Sequence, residues 1–172
     1  MTLIDDLRQM VAASETEWSN TQLDQVLDGN RSLINFQPIE WHPTRTTDGA
    51  EYKRGSVNVG LALTPGTAGG TVQTAAGSAV TGWTLSRDGW IEFASDQGGG
   101  DLRFTGWAYD LNAAAAEVCD AWAARLKGMV DVTSDDQSLK LSQKVENLKS
   151  LARDFRAKAP IKQGALTRGD VV

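Results

Sequence analysis

Helical periodicity at both ends of the chain and alternating periodicity in the middle predict an α+β protein, mainly α. The expected architecture is a helical bundle with an inserted small antiparallel β-sheet. Leu111, Ala115, Val118, Trp122, Leu126 and Met129 recur at steps of three and four, and Leu141, Val145, Leu148, Ala152, Phe155 and Ala159 keep the same rhythm. Each set lines one face of a 3.6-residue helix. Between these helices and the N-terminal ones the period falls to two, and prolines and glycines punctuate the chain. Helices are expected near 3–13, 19–29, 110–130 and 139–159, with the β insertion over about 35–108. They form one domain, 1–159, followed by a flexible C-terminal arm, 160–172.

The elements follow in order. Leu3, Leu7, Met10 and Val11 form an apolar stripe behind a Thr2–Asp5 capping box. Ser19 and Gln22 make a second capping box, with Trp18 placed to pack on Leu23 as a hydrophobic staple. That helix stops near Gly29 and Asn30, residues that tolerate the left-handed conformation. Leu33, Ile34 and Phe36, then Ile39 and Trp41, read as short extended pieces. Val57, Val59, Leu61 and Leu63 alternate as a half-buried strand. The Gly/Ala/Thr/Ser stretch from Pro65 to Gly82 reads as a loop or a loose edge hairpin. Trp83 to Phe93 is a hairpin turning at Asp88-Gly89. Leu102, Phe104 and Gly106 continue as a strand into the first long helix. The alanine run 113–116 has high helix propensity and lets a neighbouring backbone come close. Between the long helices, Val130-Asp131-Val132 and Leu139-Lys140-Leu141 read as the arms of a tiny hairpin.

Composition narrows the chemistry. A formal charge of −5 leaves no electrostatic footprint for nucleic-acid binding. The single cysteine, Cys119, rules out an internal disulfide and a cysteine cluster for zinc, and its place among alanines suits a small buried hydrophobe. The single histidine, His42, lies between Trp41 and Pro43 without a nucleophile elbow nearby, so a surface or packing role is expected. Gly98-Gly99-Gly100 is not followed by the lysine and serine or threonine of a phosphate loop, and reads as a turn. Asp131, Asp135 and Asp136 lack the central glycine and terminal glutamate of a calcium loop. Glu40, Glu51 and Glu92 form no spaced catalytic constellation. No metal or other cofactor is expected. No apolar run is long enough to cross a membrane, and Asp5 and Asp6 close behind Met1 argue against a signal peptide. Synthesis in the cytosol is expected.

Several pieces, in this order, resemble the head-to-tail connector (adaptor) proteins of tailed bacteriophages. They are Leu7-Arg8-Gln9-Met10-Val11, Glu17-Trp18-Ser19, Gly82-Trp83-Thr84-Leu85, Gly89-Trp90-Ile91-Glu92-Phe93 and Gly98-Gly99. Tyr109-Asp110-Leu111 with Ala113 to Ala116, Asp135-Asp136-Gln137-Ser138 and Ser142-Gln143-Lys144 complete the set. The resemblance implies a structural virion protein of the phage neck and not an enzyme. Such a protein is made in the host bacterial cytoplasm and forms a ring, usually dodecameric, beneath the portal protein. The ring extends the DNA channel, lets DNA pass without sequence-specific binding, and offers a docking platform to the next neck or tail-completion protein. It also implies that the C-terminal arm binds the portal, with Ile161, Leu166, Val171 and Val172 as apolar anchors and Lys162 and Arg168 pairing to acidic groups. The alternative, from a different class, is a tryptophan-rich carbohydrate-binding module of a phage or bacterial surface protein. The six tryptophans separate the two: exposed coplanar rings favour the module, and buried rings favour the connector.

Overall fold

The computed structural model describes residues 2–57, 59–130 and 135–160. The chain opens with α1 (Leu3–Val11) and α2 (Asn20–Gly29). Eleven strands follow: β1 (Arg31–Pro38), β2 (Glu40–Trp41), β3 (Thr44–Thr46), β4 (Gly49–Glu51), β5 (Arg54–Ser56), β6 (Ala62–Leu63), β7 (Gly70–Thr74), β8 (Ala79–Val80), β9 (Trp83–Leu85), β10 (Trp90–Phe93) and β11 (Leu102–Tyr109). Two long helices, α3 (Leu111–Val130) and α4 (Asp135–Lys158), follow the last strand.

Both N-terminal helices start as their sequences require. Asp5 N–H donates to Thr2 Oγ1 while Thr2 N–H donates to Asp5 Oδ2. Ser19 and Gln22 reciprocate in the same way at α2. Each box satisfies two backbone donors that a helix start leaves orphaned.

α3 is the axis of the helical layer. Ala114, Ala115, Ala116, Val118, Cys119, Trp122, Ala123 and Leu126 are all buried, because α1, α2 and α4 pack around it. The alanines set the close approach, and Trp122, Leu7, Leu23 and Leu148 are among the larger apolar side chains packed with them. Asp110 starts α3. Its Oδ1 accepts the Ala113 N–H at 2.9 Å, and its own N–H donates to the Asn30 carbonyl at 2.9 Å. A buried carboxyl is thus used as a cap rather than left unpaired.

The β layer has its own core, built on Phe104, Ile91, Leu63, Val72 and Trp83. β11 is central: β1 pairs along one side, and β7 and β6 along the other, all antiparallel. Leu102, Phe104, Gly106 and Ala108 point inward, and the residues between them point out. A Cβ on Gly70 would stand 2.4 Å from the Thr105 carbonyl oxygen and 2.6 Å from the Phe104 ring, so glycine is what lets β7 lie this close. A second sheet runs β2-β5-β10-β9, and β3 and β4 form a separate hairpin. Arg87, in the β9–β10 turn, reaches buried Asp6 of α1 at 2.8 Å and ties the two layers together.

The expectation of a mainly α protein with a small inserted sheet is overturned. The structure is 40% helical and 29% strand, in three antiparallel sheets. Many strands are two or three residues long, too short to show alternation, and are held by partners distant in sequence. The stretch 65–82 contains β7 and β8, and β7 pairs with the central strand. Of the strand expected over 57–63 only the end forms, as β6, and Val57 is buried just after β5. The β layer starts at Arg31 and ends at Tyr109, wider than 35–108. The first helix stops at Val11, short of residue 13, because Ala12 takes the left-handed conformation at φ 50°. Leu139-Lys140-Leu141 is helical, within α4 from Asp135, so there is no capping hairpin there. The hairpin at Asp88-Gly89 forms as expected, β9 pairing with β10.

Candidate interaction surfaces

On the outer face of the first sheet, Leu33 and Trp107 are cross-strand partners, 56% and 40% exposed. Among the described residues these are the large hydrophobics left open to solvent. The Arg31 guanidinium lies 4.4 Å from the Trp107 ring centre and pairs with Asp28 at 2.7 Å. Farther along, Arg103 stands 5.1 Å over Phe36. Phe36 occupies a β1 bulge at φ 56°, and its N–H is satisfied by Thr105 Oγ1 at 3.1 Å. The bulge turns this side chain onto the same face as Arg103. β1 is an edge: among the described strands, its only partner is β11. Phase in the sequence could have revealed Trp107, because it is one step out of register with Leu102, Phe104 and Gly106.

The second sheet carries a different cluster. Trp41 packs on Phe93 and Tyr52, with ring centres 5.4 and 6.0 Å away, and donates its indole N–H to the Gly100 carbonyl. His42 is exposed, 2.9 Å from Ser56 Oγ and edge-on to Trp90, over which Arg54 stacks at 4.1 Å. A hydrolytic triad needs a third group orienting the histidine, and none is bonded to it among the described residues. The carboxylates Glu40, Glu51 and Glu92 stay apart: Glu51 pairs with Lys53, Glu92 faces Arg54 across the sheet, and Glu40 sits on β2. No cluster of three or more His, Cys, Asp and Glu able to hold a metal occurs among the described residues.

The triple glycine is a turn organised by Asp96, whose Oδ1 accepts the N–H groups of Tyr52 and Gly98, each at 2.9 Å. The Gly98 bond, then the Tyr52 bond, holds this carboxyl below the ordinary value of 3.8. A depressed folded-state value means the contribution is complete above the unfolded value and is lost as pH falls through the folded one. The turn should therefore loosen below about pH 4. In Asp96→Ala, the Gly98 amide should already lack protection at neutral pH, relative to the intrinsic exchange rate at each pH, and its protection should change little on acidification.

Cys119 is fully buried, and burial pushes its thiol up to about 11. An aromatic disulfide reagent should leave the native protein unlabelled and react with one thiol on denaturation; rapid native labelling would show that α3 opens.

A cleft of about 400 Å³ lies where the layers meet, lined by Met10, Leu61, Tyr109, Arg87, Asp110 and Pro160 among others. Pro160 is the last described residue. The predicted arm residues Ile161, Lys162, Leu166, Arg168, Val171 and Val172 all lie outside the described residues, as do Asp131 and its neighbours to Ser134. No helix of the described residues is long and apolar enough to cross a membrane.

No protein-family model, curated protein or solved structure matches this chain. The class the geometry defines is an α+β protein whose exposed features include an apolar sheet face beside an open strand edge.

Proposed function

We propose that this protein is a structural component of a tailed-phage neck: a ring beneath the portal that extends the DNA channel and seats the next neck or tail-completion protein. The reading rests on the ordered resemblance along the chain. The observation that supports it best is the Leu33–Trp107 face on β1 and β11, an apolar surface of the kind that marks protein association. The tryptophans favour this over a carbohydrate-binding module. Trp18, Trp83 and Trp122 are buried, Trp41 and Trp90 are half-buried in side-chain clusters, and Trp107 alone is exposed. A sugar platform needs several open rings in one plane, whereas one exposed ring backed by an arginine resembles an interface anchor. Portal docking is assigned to the arm, through Ile161, Lys162, Leu166, Arg168, Val171 and Val172, and the protein's place is the virion neck.

Cryo-electron microscopy of DNA-filled heads incubated with the purified protein tests the reading. The expected result is a ring under the portal into which the α3–α4 pair fits. Heads unchanged after incubation, together with retention of the protein on an insoluble polysaccharide, would replace this reading with the module.

A further inference from the structure

The first and last parts of the helical layer carry opposite formal charge. Residues 2–30 hold six carboxylates against the single cation Arg8. Along α4, residues 141–160 hold five cations against Glu146 and Asp154. α3 lies between, packed on both.

The charges are also in step. Asp24 and Asp28, four apart, are exposed on α2, flanking the side that buries Leu23 and Leu27. Lys149 and Arg153, four apart, are exposed on α4. Residues at this spacing are neighbours on a helix surface, with Cβ atoms about 6 Å apart, so each pair presents two like charges side by side. Asp24 and Arg153 form no ion pair among the described residues. Asp28 and Lys149 are held only by short-range surface pairs to Arg31 and Glu146, which exchange partners at little cost. The acidic row also continues into the apolar face: Asp28 bonds Arg31, Arg31 stacks on Trp107, and Trp107 adjoins Leu33.

We propose that this patch, Asp24 and Asp28 with Trp107 and Leu33 at its centre, docks onto the Lys149–Arg153 side of α4 in a second copy of the chain. The patch and its target are different surfaces, one on α2 and the first sheet and the other on α4. The contact is therefore heterologous, and each copy keeps one free half of each kind. The apolar pair supplies the desolvated centre, and the charges set register and exclude like-with-like pairing. This identifies the contact by which a ring would grow and rests on the neck reading, but its test does not need heads or portal.

Two variants are compared with the wild type by sedimentation velocity at high protein concentration and low salt, each first checked for native circular dichroism and melting. One is Asp24→Lys/Asp28→Lys and the other is Lys149→Glu/Arg153→Glu. The wild type should associate and dissociate on raising salt, and each variant alone should stay monomeric. Mixing the two should restore association, because every contact then joins opposite charges. Trp107→Ser should weaken association at least tenfold without lowering the melting temperature. A wild type monomeric throughout, variants that associate like the wild type, or a mixture that stays monomeric would each overturn the proposal. If restoration succeeds while the protein ignores heads, the neck reading fails and the contact stands.

Discussion

Removal of Lys162 to Val172 is expected to leave folding intact and abolish attachment to DNA-filled heads. Both buried clusters are built from residues up to Phe155, so the deletion takes no described core contact with it. The melting temperature should move by no more than a degree or two. Attachment should fall below detection in a head-binding assay, because the deleted segment holds all six of the proposed portal contacts except Ile161. An extended segment that orders on binding gains affinity from backbone pairing and from its anchors together, so partial truncations should lose binding in steps. Restoring residues through Leu166 should recover some binding, and restoring Arg168 and the terminal valines the rest. Truncated protein that completes heads at normal efficiency would show that the arm has no docking role.

Trp122→Ala is expected to cost about 3–5 kcal/mol, the range for truncating a buried aromatic residue. Trp122 is 6% exposed and lies in the helical core with Lys144 Nζ 4.5 Å over its ring. The substitution removes the largest side chain facing α4 from α3 and leaves a void that alanine neighbours cannot fill. It also strips Lys144 of its ring partner, leaving it the exposed pair with Glu17. The melting temperature should fall on the order of 10 °C. Trp122→Phe, which keeps much of the volume, should recover more than half of the loss. A shift of a degree or two in the alanine variant would show that the α3–α4 seam is not packed as described.

The helices were legible because their signals are local. Thr2–Asp5, Ser19–Gln22 and the three-four rhythm through Trp122 and Phe155 are complete within a few residues, and each element begins or packs as they indicate. The β layer was only partly legible because its determinants are distant. Nothing near Thr71 or Val72 announces a strand; what holds that segment is Phe104 and Thr105, more than thirty residues away. The run Val57, Val59, Leu61, Leu63 alternates without pairing throughout, since alternation reports burial on one side and not the presence of a neighbour. Leu139 to Leu141 alternates within a helix for the same reason. The Leu33–Trp107 surface is not evident from composition, because apolar residues in a strand ordinarily face a core. The phase of β11 places Trp107 opposite to Leu102, Phe104 and Gly106, and the register between β1 and β11 puts Leu33 beside it.

The bond from Asp110 N–H to the Asn30 carbonyl places the entrance and the exit of the β layer side by side. Everything from Arg31 to Tyr109 is thus one closed excursion from the helical layer, clasped at its base by β1 and β11 where α2 meets α3. Loop-closure entropy grows only slowly with length, so the arrangement costs little stability, but contacts this far apart in sequence slow the search for them. The docking of α1 and α2 onto α3 should come late, after the β1–β11 pairing, whereas the α3–α4 pair is local in sequence. Conversely, a chain in which Asn30 is joined to Asp110 by a few glycines would turn distant contacts into near ones and should assemble its helices far faster. Insertion of a folded passenger at this point is a natural use of the same geometry, and the β layer itself can be read as such a passenger.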